Sequence, residues 1–139
     1  YQISVEEAVK NACLIMKKSA AHAVKLEGGR DFIPHIETII SAGIPVMGHL
    51  GLTPQSVNIF GGYNVRGRKE AERKRITEDA LLLQRAGIFA IVLECVRADL
   101  AEHITSELEI PVIGIGAGNK CDGQVLVAQD MLGMNSSTF

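Results

Sequence analysis

The sequence predicts an α/β fold in which helices cover a parallel β-sheet. Along its 139 residues, amphipathic segments alternate with short apolar runs, and each run is followed by a Gly-rich or polar loop. The runs carry no polar alternation, which is typical of parallel strands covered on both faces. This order of helix, tight turn, buried strand and loop builds parallel sheets with helices outside them.

Five apolar runs are the candidate strands. The first four lie within residues 20–29, 42–51, 86–95 and 109–118. A fifth run, Gln124 to Ala128, is expected to add one more strand. A complete (β/α)8 barrel needs about 250 residues for its eight units. The chain therefore accounts for about half of such a barrel.

The first two predicted helices follow from capping residues and apolar spacing. Ser4 and Glu7 form a capping-box pattern ahead of the first helix. Its apolar residues recur at intervals of three and four: Val5, Val9, Ala12, Met16 and Ala20. Asp31 is expected to cap the second helix, and Gly43 to end it. The apolar face of the second helix carries Ile33, Ile36, Ile39 and Ile40.

Two further helices are predicted in the second half of the chain. The third is expected from about Lys69 to Ala86, with Gly87 as its stop. Its apolar side carries Ile76, Ala80 and Leu83. The fourth carries Leu100, Ala101, Ile104 and Leu108.

The charge distribution gives no reason to expect a nucleic-acid partner. The formal net charge is −2 and the sequence pI is about 6.1. The longest basic cluster, Arg66 to Arg75, is interrupted by Glu70 and Glu72, which indicates a solvated helix face. Nucleic-acid-binding domains instead carry a basic patch or stripe.

The cysteines and the hydropathy indicate a reduced, cytoplasmic protein without a membrane span. Cys13, Cys95 and Cys121 are widely spaced and form no CxxC pair, so we expect free thiols rather than disulfides or a zinc site. No apolar stretch approaches the roughly 18 residues of a membrane span, and no signal peptide is recognised. The sequence begins at Tyr1 without Met, which suggests a piece of a longer protein.

Polar residues stand where the first apolar run ends, and parallel α/β folds carry their chemistry at the C-terminal ends of strands. Lys25 and Glu27 lie two residues apart, so both side chains point to one face. In isolation, a surface ion pair is the simpler interpretation. Beside other polar strand ends, a Mg²⁺ ligand and a cation for an anionic substrate become the favoured interpretation.

Glu94 and His49 end two other apolar runs. Partial desolvation of Glu94 would favour its protonated form and suit it to acid–base chemistry. Its alternative role, stabilising the N-terminus of the next helix, stays open. His49 alone is more often a hydrogen-bonded structural residue than a catalyst.

Glycines mark two other segments. Gly114, Gly116 and Gly118 suggest a nucleotide loop, but Asn119 occupies the last glycine of the GxGxxG pattern. A tight turn with close backbone packing is therefore expected there. The segment 51–67 is longer than ordinary loops and contains aromatic residues, which predicts a functional loop.

Several segments resemble ketopantoate hydroxymethyltransferases, in the order and spacing of that family. The most specific is Gly-His-Leu-Gly-Leu-Thr-Pro-Gln-Ser-Val-Asn-Ile-Phe-Gly-Gly-Tyr, residues 48–63. The others are Val-Lys-Leu-Glu-Gly-Gly (24–29), Leu-Glu-Cys-Val (93–96), Ile-Pro-Val-Ile-Gly-Ile-Gly-Ala-Gly (110–118) and Cys-Asp-Gly-Gln-Val-Leu-Val (121–127).

The resemblance implies a TIM barrel of the phosphoenolpyruvate-mutase and isocitrate-lyase type. Residues 1–139 would form one partial domain with roughly strands 4 to 8, without the N-terminal strands and the C-terminal helices. The implied reaction transfers a hydroxymethyl group from 5,10-methylenetetrahydrofolate to 3-methyl-2-oxobutanoate, giving ketopantoate in pantothenate biosynthesis. The family resemblance also implies Mg²⁺ and a homo-oligomer, commonly a decamer.

Position by position, the resemblance implies that Glu27 is a Mg²⁺ ligand and that Glu94 is the catalytic base. Lys25 and His49 match substrate-binding residues. The family's remaining aspartates and its Asp-Ser pair have no match in this chain. Two alternatives stay open: a catalytically silent fragment or assembly module, and another Mg²⁺-dependent lyase or mutase acting on 2-oxo acids.

Overall fold

The computed structural model describes residues 2–53 and 65–134. Within these residues, one parallel sheet has the order β1-β2-β3-β4-β5, so the predicted parallel α/β architecture is confirmed. Its strands are β1 Val24–Glu27, β2 Val46–Gly51, β3 Ala90–Glu94, β4 Val112–Ile115 and β5 Gly123–Gln124. The helices are α1 Val5–Lys18, α2 Ile33–Ser41, α3 Glu70–Arg85, α4 Ala98–Glu107 and α5 Ala128–Met131. The barrel type and the strand numbering stay predictions, as does the single partial domain.

Helix α1 begins where the capping pattern predicts. The Glu7 backbone N–H donates a hydrogen bond of 3.2 Å to Ser4 Oγ, which satisfies one of the free N–H groups of the first turn. The helix ends at Lys18, slightly earlier than predicted, because Ser19 adopts an extended backbone. The Ser19 backbone N–H and hydroxyl both donate to the Ile15 carbonyl and so close the last turn.

The prediction that Asp31 caps the second helix is wrong. Asp31 lies within a short 3-10 helix, Arg30–Phe32, and Phe32 precedes α2 without a side-chain capping bond. Pro34 lies in the first turn of α2, where its fixed φ and missing N–H are tolerated. The Asp31 carboxylate instead contacts the Arg75 guanidinium at 3.3 Å.

Glycines end two of the helices, as predicted. Gly43 and Gly87 have φ values of 83° and 95°, in the left-handed region that glycine enters at little cost. Each glycine follows shortly after the end of its helix and turns the chain toward the next strand. The prediction for α3 is also confirmed, since it spans Glu70–Arg85.

The apolar core lies between the helices and one face of the sheet. The strands contribute Leu26, Val46, Ile91, Leu93 and Val112, all buried. The helices contribute Ile36, Ile39, Leu83, Leu100 and Ile104, also buried. Burial of each large aliphatic side chain stabilises the fold by about 1.5–3 kcal/mol. Because strand residues alternate, the residues between the core positions point to the opposite face.

The fifth strand is shorter than predicted. It spans Gly123–Gln124 rather than Gln124 to Ala128, and one further bond runs from the Val125 N–H to the Gly114 carbonyl. Val125, Leu126 and Val127 are exposed, and Ala128 begins α5. An apolar run is a strand only where a neighbouring strand pairs with it, and the described residues provide no further pairing there.

Candidate active site

Three neighbouring strands bring four polar side chains to the face opposite the core. Glu27 of β1 lies beside His49 of β2 in the sheet register, and Glu94 ends β3, the next strand. Lys25 lies on the same face as Glu27, because Leu26 between them points into the core. The strand ends therefore bring together the four residues that the sequence singled out.

The imidazole of His49 lies between two carboxylates. Its Nδ1 is 3.8 Å from Glu27 Oε1, and its Nε2 is 3.2 Å from Glu94 Oε2. The His49 side chain is only 2% exposed. Neither contact is aligned as a hydrogen bond, and the described residues leave both ring nitrogens without a hydrogen-bond partner. Buried polar atoms are ordinarily bonded, so a partner from outside the described residues is expected at these nitrogens.

Burial lowers the pKa of His49 to about 4. Desolvation is the largest cause, the charge of Lys25 acts in the same direction, and the backbone of Leu52 opposes them. Carboxylates near a histidine ordinarily favour its charged form. Here the cost of burying a charge is larger, because the ring is almost fully enclosed. The imidazole is therefore neutral near pH 7, with one nitrogen able to donate and the other able to accept.

Burial raises the pKa of the Glu94 carboxyl above its ordinary value. Lys25 opposes the shift and Glu27 adds to it. A raised pKa makes the carboxylate a stronger base near neutral pH. The alternative role of Glu94 as a helix cap is not observed, because Arg97 occupies the N-cap of α4 and no side chain makes a capping bond there.

A cavity of about 400 Å³ opens on the same face of the sheet. Lys25 and Glu94 supply its charged groups. Its apolar wall includes Met47, Val92, Ile113 and Ile115. An ammonium group beside aliphatic side chains suits a small anion that carries an apolar group.

Glu27 is suited to hold a hard cation as one ligand of a shared site. Its carboxylate offers the oxygen ligands that Mg²⁺ prefers. Within residues 2–53 and 65–134, no group of three or more His, Cys, Asp or Glu side chains could hold a metal ion. Mg²⁺ is commonly bound through one or two carboxylates together with waters and substrate oxygens. Glu27 fits that pattern, although it does not complete a site by itself.

The backbone conformation of Cys95, directly after Glu94, was not predictable from the sequence. Cys95 has a φ of 49°, and among the described residues it is the non-glycine residue with a positive φ. A cysteine gives no sequence signal for this conformation. Gly51, at the end of β2, has a φ of 95° and gives a stronger signal, since glycine often marks such positions.

The glycine-rich segment after β4 forms tight turns. Gly116 and Gly118 have φ values of 60° and 82°. A Cβ on Gly118 would lie 2.5 Å from the Cβ of Ala98, so only glycine allows this close approach to α4. Close packing thus accounts for these glycines, as predicted.

The long segment predicted to be a functional loop lies largely outside the described residues. Residues 54–64 lie outside the described residues, so that prediction is untested. After this segment, Arg66 pairs with Val96 in an isolated parallel bridge. The chain therefore returns to the sheet just beyond the end of β3.

Comparison with known proteins identifies close relatives. The family model described as ketopantoate hydroxymethyltransferase matches residues 1–139. A 3-methyl-2-oxobutanoate hydroxymethyltransferase of Clostridium botulinum is 63% identical over 134 residues, which are 96% of this chain and 49% of the relative. The enzyme of the same name from Clostridioides difficile is 58% identical, with the same coverage. That of Pseudothermotoga lettingae is 57% identical over 137 residues, 99% of this chain and 52% of the relative.

The chain spans about half the length of the curated relatives that it matches. In the part of the chain that the structure describes, no helix is both long enough and apolar enough to cross a membrane. The three cysteines are free thiols, as predicted.

Proposed function

Because the chain belongs to the ketopantoate hydroxymethyltransferase family, we propose that its complete gene product forms ketopantoate. In this reaction the one-carbon unit of 5,10-methylenetetrahydrofolate becomes a hydroxymethyl group on C3 of 3-methyl-2-oxobutanoate. Water supplies the hydroxyl oxygen, and tetrahydrofolate is released. The observation that carries the proposal is the Glu94 carboxyl, with its raised pKa, 3.2 Å from a neutral imidazole at the cavity.

The cavity favours a branched 2-oxo acid. The Lys25 ammonium would pair with the substrate carboxylate, and the isopropyl group would pack against side chains such as Val92 and Ile113. His49 would donate from its neutral ring to a substrate oxygen, which would satisfy one of its two unbonded nitrogens. These contacts would hold C3 of the substrate near Glu94.

Glu94 is proposed as the base. Its carboxylate would take the proton from C3, and the electron pair of the C–H bond would form the enolate. The enolate carbon would then form a C–C bond to the methylene carbon of the folate as one C–N bond breaks, and water would displace the second nitrogen, so that the hydroxymethyl product and tetrahydrofolate result. His49, at 3.2 Å, would help to hold the proton that Glu94 has accepted. Lys25 would offset the negative charge that develops on the substrate.

Glu27 is proposed as a Mg²⁺ ligand, together with oxygens from outside the described residues. When bound, Mg²⁺ would polarise the keto group and acidify the neighbouring C–H. A direct test is Mn²⁺ binding followed by electron paramagnetic resonance. Glu27→Gln should weaken binding, and unchanged affinity in Glu27→Gln would exclude Glu27 as a ligand.

The central experiment compares Glu94→Gln with Glu102→Gln in the complete gene product. Glu102 lies exposed on α4, away from the cavity, and is therefore a matched control. Ketopantoate formation is measured with and without Mg²⁺ and methylenetetrahydrofolate. Glu94→Gln is expected to lower kcat by about 10²- to 10⁴-fold, while Glu102→Gln stays near the wild type. Full activity of Glu94→Gln would remove it as the base, and product formation without folate would point to another 2-oxo acid enzyme.

We also propose that the complete protein is a cytoplasmic homo-oligomer, as the family resemblance implies, with a decamer as the expected state. Light scattering coupled to size-exclusion chromatography would measure the number of subunits. Cell fractionation would test the compartment. A monomer, or a membrane-bound fraction, would contradict these two proposals.

A further inference from the structure

The ends of β2 and β3 touch through their main chains just beside the site. We call this contact, formed by Gly51, Leu52, Glu94 and Cys95, the β2–β3 junction. The Leu52 N–H donates a hydrogen bond of 2.8 Å to the Glu94 carbonyl. A Cβ on Gly51 would overlap that same carbonyl oxygen. The junction therefore depends on a glycine at position 51.

Cys95 ties the other side of Glu94 to two further segments. Its N–H donates a hydrogen bond of 2.8 Å to the Ile115 carbonyl, at the end of β4. Its own carbonyl accepts a bond of 2.7 Å from the Arg66 N–H. The φ of 49° turns the chain at Cys95, so that the strand stops directly after Glu94. The main chain around Glu94 is thus fixed by bonds to three separate segments.

We propose that Cys95 and Gly51 are positioning residues for Glu94, and that they act through their backbone conformations rather than through the Cys95 thiol. This proposal rests on the proposed function, in which Glu94 is the base. The junction holds the Glu94 side chain at 3.2 Å from His49. A displacement of about 1 Å at a reacting group can cost about 10²-fold in rate.

The thiol itself is not suited to react. Cys95 Sγ lies toward the turn at Gly116, where a Cβ would be 3.5 Å from the sulfur. Burial raises the pKa of the Cys95 thiol, and Glu94 adds to the shift. The thiol is therefore protonated near pH 7 and is a weak nucleophile. The feature of Cys95 that matters for Glu94 is its left-handed backbone.

Two substitutions at Cys95 distinguish the effect of its backbone conformation from the effect of its thiol. Asn enters the left-handed region readily, whereas a β-branched Val does so only under strain. Cys95→Asn and Cys95→Val both lack the thiol, and Val is close in size to Cys. In the complete gene product, Cys95→Asn is expected to keep kcat within about 3-fold of the wild type. Cys95→Val is expected to lower kcat by about 10- to 100-fold.

The Michaelis constant for the keto acid should change little in either variant, because Lys25 and the apolar cavity wall are untouched. Gly51→Ala should lower kcat as Cys95→Val does. Should Cys95→Val fail to fold, Gly51→Ala tests the junction from its other side, and Cys95→Ala, which lacks the thiol without adding β-branching, is expected to keep kcat near that of the wild type. Crystal structures of the variants give a readout that does not depend on activity. The distance from His49 Nε2 to Glu94 Oε2 should stay near 3.2 Å in Cys95→Asn and lengthen in Cys95→Val.

Equal kcat values for Cys95→Asn and Cys95→Val, with an unchanged distance between His49 and Glu94, would overturn the proposal. An equally large loss in both variants would assign the role to the thiol and would also overturn it. If the wild-type protein forms no ketopantoate, the proposed function fails, and the distance comparison still decides whether the junction positions Glu94.

Discussion

Leu93 and Val92 are neighbours on β3 with side chains on opposite faces of the sheet, so truncating each one tests the face assignment on which the site depends. Leu93 is fully buried in the core, whereas Val92, also largely buried, lines the cavity on the opposite face of the sheet. Leu93→Ala removes roughly three CH₂ equivalents at about 0.8 kcal/mol each. With the added cost of the empty space, we expect the free energy of unfolding to fall by about 2–5 kcal/mol.

Val92→Ala should show the opposite profile. It removes part of a cavity wall, so the free energy of unfolding should fall by only about 1 kcal/mol or less, because no closed void forms in the core. The lost contact with the substrate should raise the Michaelis constant for the keto acid about 10-fold. Leu93→Ala should leave that constant nearly unchanged.

The assay is denaturant unfolding of the complete gene product at one fixed protein concentration, followed by steady-state kinetics of the folded variants. The fixed concentration matters because assembly would otherwise change the apparent stability. Equal losses of stability in Val92→Ala and Leu93→Ala would refute the face assignment. So would a raised Michaelis constant in Leu93→Ala together with an unchanged one in Val92→Ala.

Three further predictions concern charge and pH. Glu94 acts as a base only when deprotonated, and burial raises the pKa of its carboxyl above 4.5 in the free protein, so kcat/KM should fall with decreasing pH at a midpoint above that value; a midpoint at or below it would contradict the role. Lys25→Met should move this midpoint to higher pH, as measured in pH–rate profiles, because the charge of Lys25 lowers the pKa of the Glu94 carboxyl; a shift to lower pH would contradict the assigned charge. The folded-state pKa of His49, about 4, lies below its ordinary value of 6.5. As the pH falls, His49 is therefore protonated in the unfolded chain before it is protonated in the folded chain. The free energy of unfolding should decrease by up to about 3 kcal/mol between pH 6.5 and pH 4. In His49→Gln, the free energy of unfolding, measured by denaturant titration, should depend less on pH across that range. The same pH dependence in His49→Gln and the wild type would exclude His49 as its source.

The helices and the strand ends could be predicted because their signals are local. Ser4 caps α1 by accepting a hydrogen bond from the backbone N–H of the nearby Glu7, and Gly43 and Gly87 end helices through their own φ angles. The prediction failed at Asp31, where Pro34 and a 3-10 turn set the start of α2. It also failed beyond Gln124, since apolar pattern does not reveal which residues find a pairing partner.

The candidate site was predictable residue by residue, whereas its geometry was not. Lys25, Glu27, His49 and Glu94 were singled out because each ends or interrupts an apolar run. The 3.2 Å contact between His49 and Glu94 depends on the register of β2 and β3, which lie far apart in the chain. The left-handed backbone of Cys95 likewise arises from long-range bonds and leaves no trace in the local sequence.

The strand order of the sheet has a consequence for how the chain folds. Each strand pairs with the one that precedes it along the chain, from β1 through to β5. The longest loop to be closed is therefore the one between β2 and β3, and the entropic cost of closure grows only slowly with loop length. As the chain leaves the ribosome, β2 can dock on β1 and β3 on β2 in the order of synthesis. The four polar residues lie on β1, β2 and β3 alone, so they meet once β3 has docked on β2 and do not depend on β4 or β5.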